Sequence, residues 1–231
     1  MGKRRGRASW EMWRQPAHLE VRERVLVITE GSKTEPDYFR RLIQELGLTT
    51  AQVKVVGDGD PAPISVVQHA KGLLKVDDDF EHVFLVFDRD SHTTYNEAIS
   101  KAKNLKPRRA PKKQVVVVIP SIPCFEIWYL FHVSDSHSPY PIGHGVGSPA
   151  QDIIQDLKDA HPCFAAYDKA TCAAFYDEIK PKRDQACTRA VKALEEAWKV
   201  GQKKFQENPS TRVHVVVGKL QDLADKQKKD I

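Results

Sequence analysis

Asp88 and Asp90 stand two residues apart at the end of an apolar run, Val83-Phe84-Leu85-Val86-Phe87, and this spacing is the chain's clearest chemical signal. A run that is apolar at every position reads as a strand buried on both faces. At a strand's end, residues i and i+2 point the same way, so both carboxylates project into the space above the sheet edge. Two adjacent carboxylates raise each other's pKa unless a cation sits between them. Mg²⁺ suits such a pair, since it takes one or two carboxylates and completes its shell with water and phosphate oxygens. The competing reading is that the aspartates cap the next helix.

A second apolar run, Val25-Leu26-Val27-Ile28-Thr29, ends in Glu30-Gly31. Glu30 then lies at a strand's carboxyl edge, where open α/β sheets bind ligands. If the two strands are neighbours, Glu30, Asp88 and Asp90 converge on one divalent ion. Gly31 lets the chain turn. Thr34 is expected as a helix N-cap with Asp37 at N3, and Pro36 suits a first helical turn. Tyr38, Phe39, Leu42, Ile43 and Leu46 follow at helical spacing, and Gly47 is a stop signal.

Other residues carry weaker signals. Glu126 sits in the apolar run Pro123-Cys124-Phe125-Glu126-Ile127-Trp128-Tyr129-Leu130-Phe131-His132. A buried carboxylate there is costly without a partner. It reads as a further metal or water ligand, or as a structural ion pair or first-turn dipole partner. Glu35 reads as stabilising its helix N-terminus. Lys33, just beyond Glu30, is a phosphate-binding candidate or a solvated loop lysine. Lys180, Lys182 and Arg183 open a long helix that could fold back over the site, which makes Lys182 the second phosphate candidate. Arg89 points away from its aspartate neighbours, and His92 reads as an exposed loop histidine. His132, His137 and His144 match no zinc spacing. Gly143, Gly145 and Gly147 alternate without a Gly-Lys-Ser/Thr, so they form no P-loop.

The elements that must position these residues alternate. Strands are expected over 24–29, 52–56, 82–87 and 114–119, with helices over 35–46, 64–75 and 94–104. This βαβ alternation predicts a parallel sheet of about four strands with right-handed crossovers. A buried helix follows over 123–132, then a long loop over 134–149. Helices are expected over 150–159, 169–178 and 183–206. The last segment is predicted to be a helix over 211–227, capped by Ser210 or Thr211.

The 231 residues suffice for one large domain with an extension. Residues 1–21 form a basic arm, 22–133 the α/β core, and 134–231 a helical extension packed on that core. No apolar run approaches the ~20 residues of a membrane span, and no apolar stretch follows the basic start. Four cysteines without a CxxC pair argue against structural zinc and fit a reducing cytoplasm. The net charge of +5 is compatible with a polyanionic partner. Basic residues cluster at Lys101, Lys103, Lys106, Arg108, Arg109, Lys112 and Lys113 with no acid among them. The topology puts that run at the sheet edge opposite the carboxylates.

The segments Thr29-Glu30-Gly31-Ser32-Lys33-Thr34-Glu35-Pro36-Asp37-Tyr38-Phe39, Phe87-Asp88-Arg89-Asp90, Pro123-Cys124-Phe125-Glu126-Ile127-Trp128 and Asn208-Pro209-Ser210-Thr211, in this order, resemble the RloB-like family. The resemblance covers about residues 22–225. It implies a Toprim-type Rossmannoid α/β fold, the module of topoisomerases, primases and overcoming-lysogenization-defect nucleases. It also implies a prokaryotic defence setting, often beside an ATPase partner. Glu30 matches the Toprim glutamate, and Asp88 and Asp90 match its DxD pair.

Together these readings predict a Mg²⁺- or Mn²⁺-dependent nuclease of the cytoplasm. Glu30, Asp88 and Asp90 are its catalytic and metal-binding residues, Glu126 a further ligand, and Lys33 and Lys182 its phosphate contacts. The alternatives are a non-catalytic sensor or regulatory module working with the ATPase, and nucleotidyl transfer as in primases. The sequence chooses neither DNA, RNA nor tRNA, and leaves the oligomeric state open.

Overall fold

The computed structural model describes residues 23–50, 52–57, 60, 62–105, 114–135, 137–142, 149–168 and 172–229. The basic arm, His144, the alternating glycines and residues 106–113 of the basic run lie outside them.

The amino-terminal half alternates strand and helix in chain order: β1 (Val25–Thr29), α1 (Thr34–Glu45), β2 (Val53–Gly57), α2 (Pro63–Val76), β3 (His82–Asp88), α3 (Tyr95–Lys103) and β4 (Val115–Ile122). Next come α4 (Glu126–Val133), α5 (Pro149–Ala160), α6 (Tyr176–Ile179) and α7 (Arg183–Lys199), with single 3₁₀ turns at Pro162–Phe164, Cys172–Phe175 and Lys180–Lys182. A two-residue strand, β5 (Ser210–Thr211), precedes the last helix, α8 (Val213–Lys229). None of these helices is long and apolar enough to cross a membrane.

The sheet has five strands in the order β2-β1-β3-β4-β5. The first four pair in parallel, and β5 pairs antiparallel with the carboxyl end of β4. This is a Rossmann-like α/β fold with a helical carboxyl-terminal part. The expected four-strand sheet gains β5, which is too short to have a hydrophobic period of its own. Tertiary contact makes it a strand: Ser121 and Thr211 pair across the ladder and share a buried hydroxyl–hydroxyl hydrogen bond of 3.0 Å.

β1 and β3 are β-branched and aromatic runs buried on both faces, as central parallel strands require. One face packs Leu26, Ile28, Leu85 and Phe87 against α2 and α3. The other sets Val25, Val27, Phe84 and Val86 in a cluster shared with α1, α4 and α8, with α5 and α7 beyond α4. α4 is apolar nearly all round because it lies between the sheet side and the outer helices α5 and α7. Its Trp128 is fully buried, and truncating such a side chain costs ~3–5 kcal/mol.

Helix ends follow local chemistry. α1 stops in a Schellman motif: Gly47 adopts φ +68° while Leu48 N–H reaches Ile43 C=O at 3.1 Å. α7 ends the same way, with Gly201 at φ +83° and Gln202 N–H on Ala197 C=O at 2.9 Å. The helix expected over 183–206 therefore stops at Lys199. Where a helix is expected over 169–178, residues 172–175 form a 3₁₀ turn leading into the short α6, and 169–171 lie outside the described residues. Thr34 lies inside α1 rather than capping it, and Lys33 occupies the cap position without a side-chain cap. The carboxylate of Glu35 turns back instead and accepts Gly31 N–H at 3.2 Å. For α8 the cap is Thr211, whose Oγ1 accepts Val213 N–H at 3.2 Å.

Candidate functional site

The strand order puts β1 and β3 side by side, with β2 and β4 outside them. α1 leaves β1 toward one face and α3 leaves β3 toward the other. This divergence opens a crevice at the carboxyl edge, the position where doubly wound sheets bind ligands. Glu30 and Asp88 stand at it.

Glu30 continues the ladder for one step, its N–H donating to Val86 C=O at 3.0 Å. The parallel register would next send Asp88 N–H to the Glu30 carbonyl. The Glu30 side chain takes that bond instead: Oε2 accepts Asp88 N–H at 2.9 Å. The second oxygen, Oε1, lies 3.2 Å from His92 Nε2. Glu30 is 7% exposed, so a carboxylate that would otherwise be costly to bury is held by a backbone donor on one side and an imidazole on the other.

Asp88 and Asp90 are half-buried at the end of β3. Asp90 adopts φ +34°, a left-handed conformation that short polar side chains tolerate better than most. Its N–H donates to Pro123 C=O at 2.8 Å, which ties the turn after β3 to the entry of α4. Arg89 N–H donates to Ser121 C=O at 2.9 Å, and its guanidinium lies over the Tyr95 ring, 5.8 Å from the centroid. Arg89 is thus turned toward α3.

His92 is the residue that sequence reasoning undervalued. The turn after β3 closes with His92 N–H on Arg89 C=O at 3.1 Å, and this folds the imidazole back onto Glu30. The signal was present in the short spacing from Asp88 to His92. A turn with one left-handed residue brings positions that close together.

The remaining candidates divide. Lys33 is exposed on the loop between Glu30 and α1, on the same edge. Gly31 and Glu35 shape that loop: a Cβ at Gly31 would lie 2.2 Å from Glu35 Oε2. Gly57 at the end of β2 allows an equally close approach, since a Cβ there would lie 2.7 Å from the Gly31 carbonyl oxygen.

Lys182 is not brought to this edge. Its neighbour Arg183 binds Glu45 through both guanidinium nitrogens, and Tyr176 donates to the same carboxylate at 2.5 Å. Glu45 ends α1, so this cluster belongs to the opposite end of that helix. Burial alone would raise the Glu45 pKa, but the Arg183 and Tyr176 hydrogen bonds outweigh it and hold the carboxyl below its ordinary value.

Glu126 opens α4 and is 1% exposed. Its Oε1 lies 3.5 Å from the Tyr167 hydroxyl, so it faces the turn after α5. Among the described residues, no three of His, Cys, Asp and Glu gather closely enough to enclose an ion. Of the four expected carboxylates, Glu30 stands against Asp88 and His92 at the sheet edge, and Glu126 is turned toward Tyr167. His132 offers no alternative centre: burial pushes its pKa down to about 3, and Nδ1 lies 2.8 Å from Trp128 C=O. His137 pairs with Glu196 at 2.7 Å.

Fold and edge together define a Rossmann-like α/β protein with an acidic crevice at the β1/β3 switch point. The model of the family described as RloB-like protein matches residues 25–220. The chain belongs to the RloB-like family. No curated protein and no solved structure matches it.

Proposed function

We propose that this protein is a Mg²⁺- or Mn²⁺-dependent nuclease of Toprim type, acting on DNA, RNA or tRNA in cytoplasmic anti-phage defence. The observation that carries the reading is the Glu30 carboxylate fixed against the backbone of Asp88 at the mouth of the switch-point crevice. The donor chemistry fits a hard cation, because Asp88 and Asp90 are half-buried carboxylate residues at the sheet edge, and Mg²⁺ needs only one or two carboxylates beside water. Such an ion supplies an activated water and charge stabilisation for in-line displacement at phosphorus.

Asp88 and Asp90 would hold the ion. Glu30, oriented by Asp88 N–H and His92, presents a carboxylate behind them to accept a proton at Oε1 or to fix a water. Lys33 is exposed on the adjoining loop, within the same rim, to meet a phosphate. Glu126 serves as a buried structural acid of α4. A basic surface supplies salt-sensitive binding to the nucleic acid backbone.

One observation favours a second reading, a sensor or regulatory module that works with an ATPase partner: both Glu30 oxygens are already engaged. The deciding experiment incubates the full chain with labelled plasmid, single-stranded DNA and total tRNA, with Mg²⁺ or Mn²⁺ against chelator. Metal-dependent cleavage that Asp88→Asn abolishes, at unchanged melting temperature, supports the nuclease. Cleavage that persists in Asp88→Asn refutes this site. No cleavage of any substrate by the parent protein favours the regulatory reading.

A further inference from the structure

Among the described residues, β4 is bonded along nearly its whole length on one side only. It pairs with β3 from Val115 to Ser121, whereas β5 meets it only at Ser121 and Ile122. Val115 N–H donates to Glu81 C=O at 2.8 Å, toward β3. Backbone groups alternate sides along a strand, so those of Val116 and Val118 face outward. Pro120 also faces outward, and its carbonyl is taken by Arg212 N–H at 3.1 Å. For Val116 and Val118 no such bond is formed among the described residues. An unpaired, β-branched edge of this kind is a template for another strand.

A cavity of about 580 Å³ lies against that edge. Val116, Val117 and Val118 line it in succession. Consecutive strand residues point to opposite faces, so one cavity can touch all three only from the edge. Its outer wall is apolar and open to solvent, with Trp198 49% and Val215 39% exposed. The wall is also pre-shaped. Buried Glu207 accepts both Trp198 Nε1 at 2.7 Å and Arg212 Nη2 at 2.8 Å, and the Arg212 guanidinium lies over Phe205.

The rim is basic. Lys103 and Lys204 are exposed on it, and none of the described lining residues is acidic. A second copy of the chain would set this positive rim against itself. We infer that the groove beside the open β4 edge binds an extended, acidic-flanked peptide segment of a partner protein, which adds a strand to the sheet through Val116 and Val118. Backbone pairing with alternating side-chain contacts is the usual chemistry of such strand addition. The two lysines select the charge of the flanks.

The test titrates the full chain into a fluorescent synthetic peptide that alternates valine and threonine between acidic ends. A lysine-ended version and a short oligouridylate serve as comparisons. Saturable binding of the acidic peptide is expected, with the lysine-ended peptide at least about tenfold weaker. Val116→Pro removes only the outward N–H, which an edge strand tolerates, and it should abolish binding with the melting temperature held. Lys103→Glu combined with Lys204→Glu should reverse the peptide preference, and this decides the matter if the proline variant fails to fold. The inference is overturned if the parent binds neither peptide up to about 1 mM or binds both equally. It is also overturned if the oligouridylate alone occupies the groove, or if sedimentation shows a dimer that Val116→Pro dissolves.

Discussion

Glu30 stands in for its own main chain: its carboxylate, not its carbonyl, receives the Asp88 N–H, at 2.9 Å. The bond couples the acidic side chain of one strand to the backbone that aims the acid of the next. Glu30→Ala removes the acceptor and should cost about 1–3 kcal/mol in urea unfolding, the penalty for a donor left without its partner. Glu30→Gln keeps an acceptor oxygen and should stay within roughly 1 kcal/mol of the parent. If the proposed nuclease reading holds, both variants lose metal-dependent cleavage, so stability and activity separate in the glutamine variant.

Asp90 supplies a second separation. Its φ of +34° suits glycine better than any side chain. Asp90→Gly should leave stability equal to the parent or raise it by up to about 1 kcal/mol, while Asp90→Val should lose about 1–3 kcal/mol. On the proposed nuclease reading, cleavage should vanish in both. Retained cleavage in Asp90→Gly would remove Asp90 from the site.

The two glycines around the β1 loop are unequal. An added methyl at Gly31 meets the far end of the Glu35 side chain, whereas one at Gly57 meets the Gly31 carbonyl. A side chain can swing aside, but a backbone at a strand end cannot do so as cheaply. Gly57→Ala should therefore be the costlier change, by about 1–3 kcal/mol against the parent. Gly31→Ala should become milder in a Glu35→Ala background, a coupling that a double-mutant cycle measures.

Glu23 carries a pH signature. Hydrogen bonds from Lys219 and then Lys226, both on α8, lower its pKa from 4.5 to about 2. A depressed folded-state value contributes stability that is fully present above pH 4.5 and is lost as pH falls through 2. Glu23→Gln should therefore flatten the stability profile between these limits, with little difference below pH 2. Because the pair is partly exposed, salt should shrink the effect.

The legible parts of this chain were those with a local signature. β1 and β3 announced themselves by unbroken apolar runs, and their ends located Glu30 and Asp88 to the residue. Gly47 follows the last apolar residue at helical spacing and so marks the stop, whereas the helical spacing of 183–206 runs past the equal signal of Gly201. Thr34 suggested a cap by type, yet Glu35 satisfies Gly31 N–H from within the helix. β5, the orientation of Glu126 and the remoteness of Lys182 depend on which elements meet in space. Sequence spacing does not encode that. His92 lies between these cases, since its turn was local but its partner sits on another strand.

The order β2-β1-β3-β4 sends the chain out of β1 and β3 to opposite sides of the sheet. The connection that bears Lys33 and the one that bears His92 therefore belong to separate packing layers and share no helix. They meet through a contact of His92 Nε2 with Glu30 Oε1 at 3.2 Å. Two loops of different length and composition are thus clasped over the Glu30–Asp88 joint by a single imidazole.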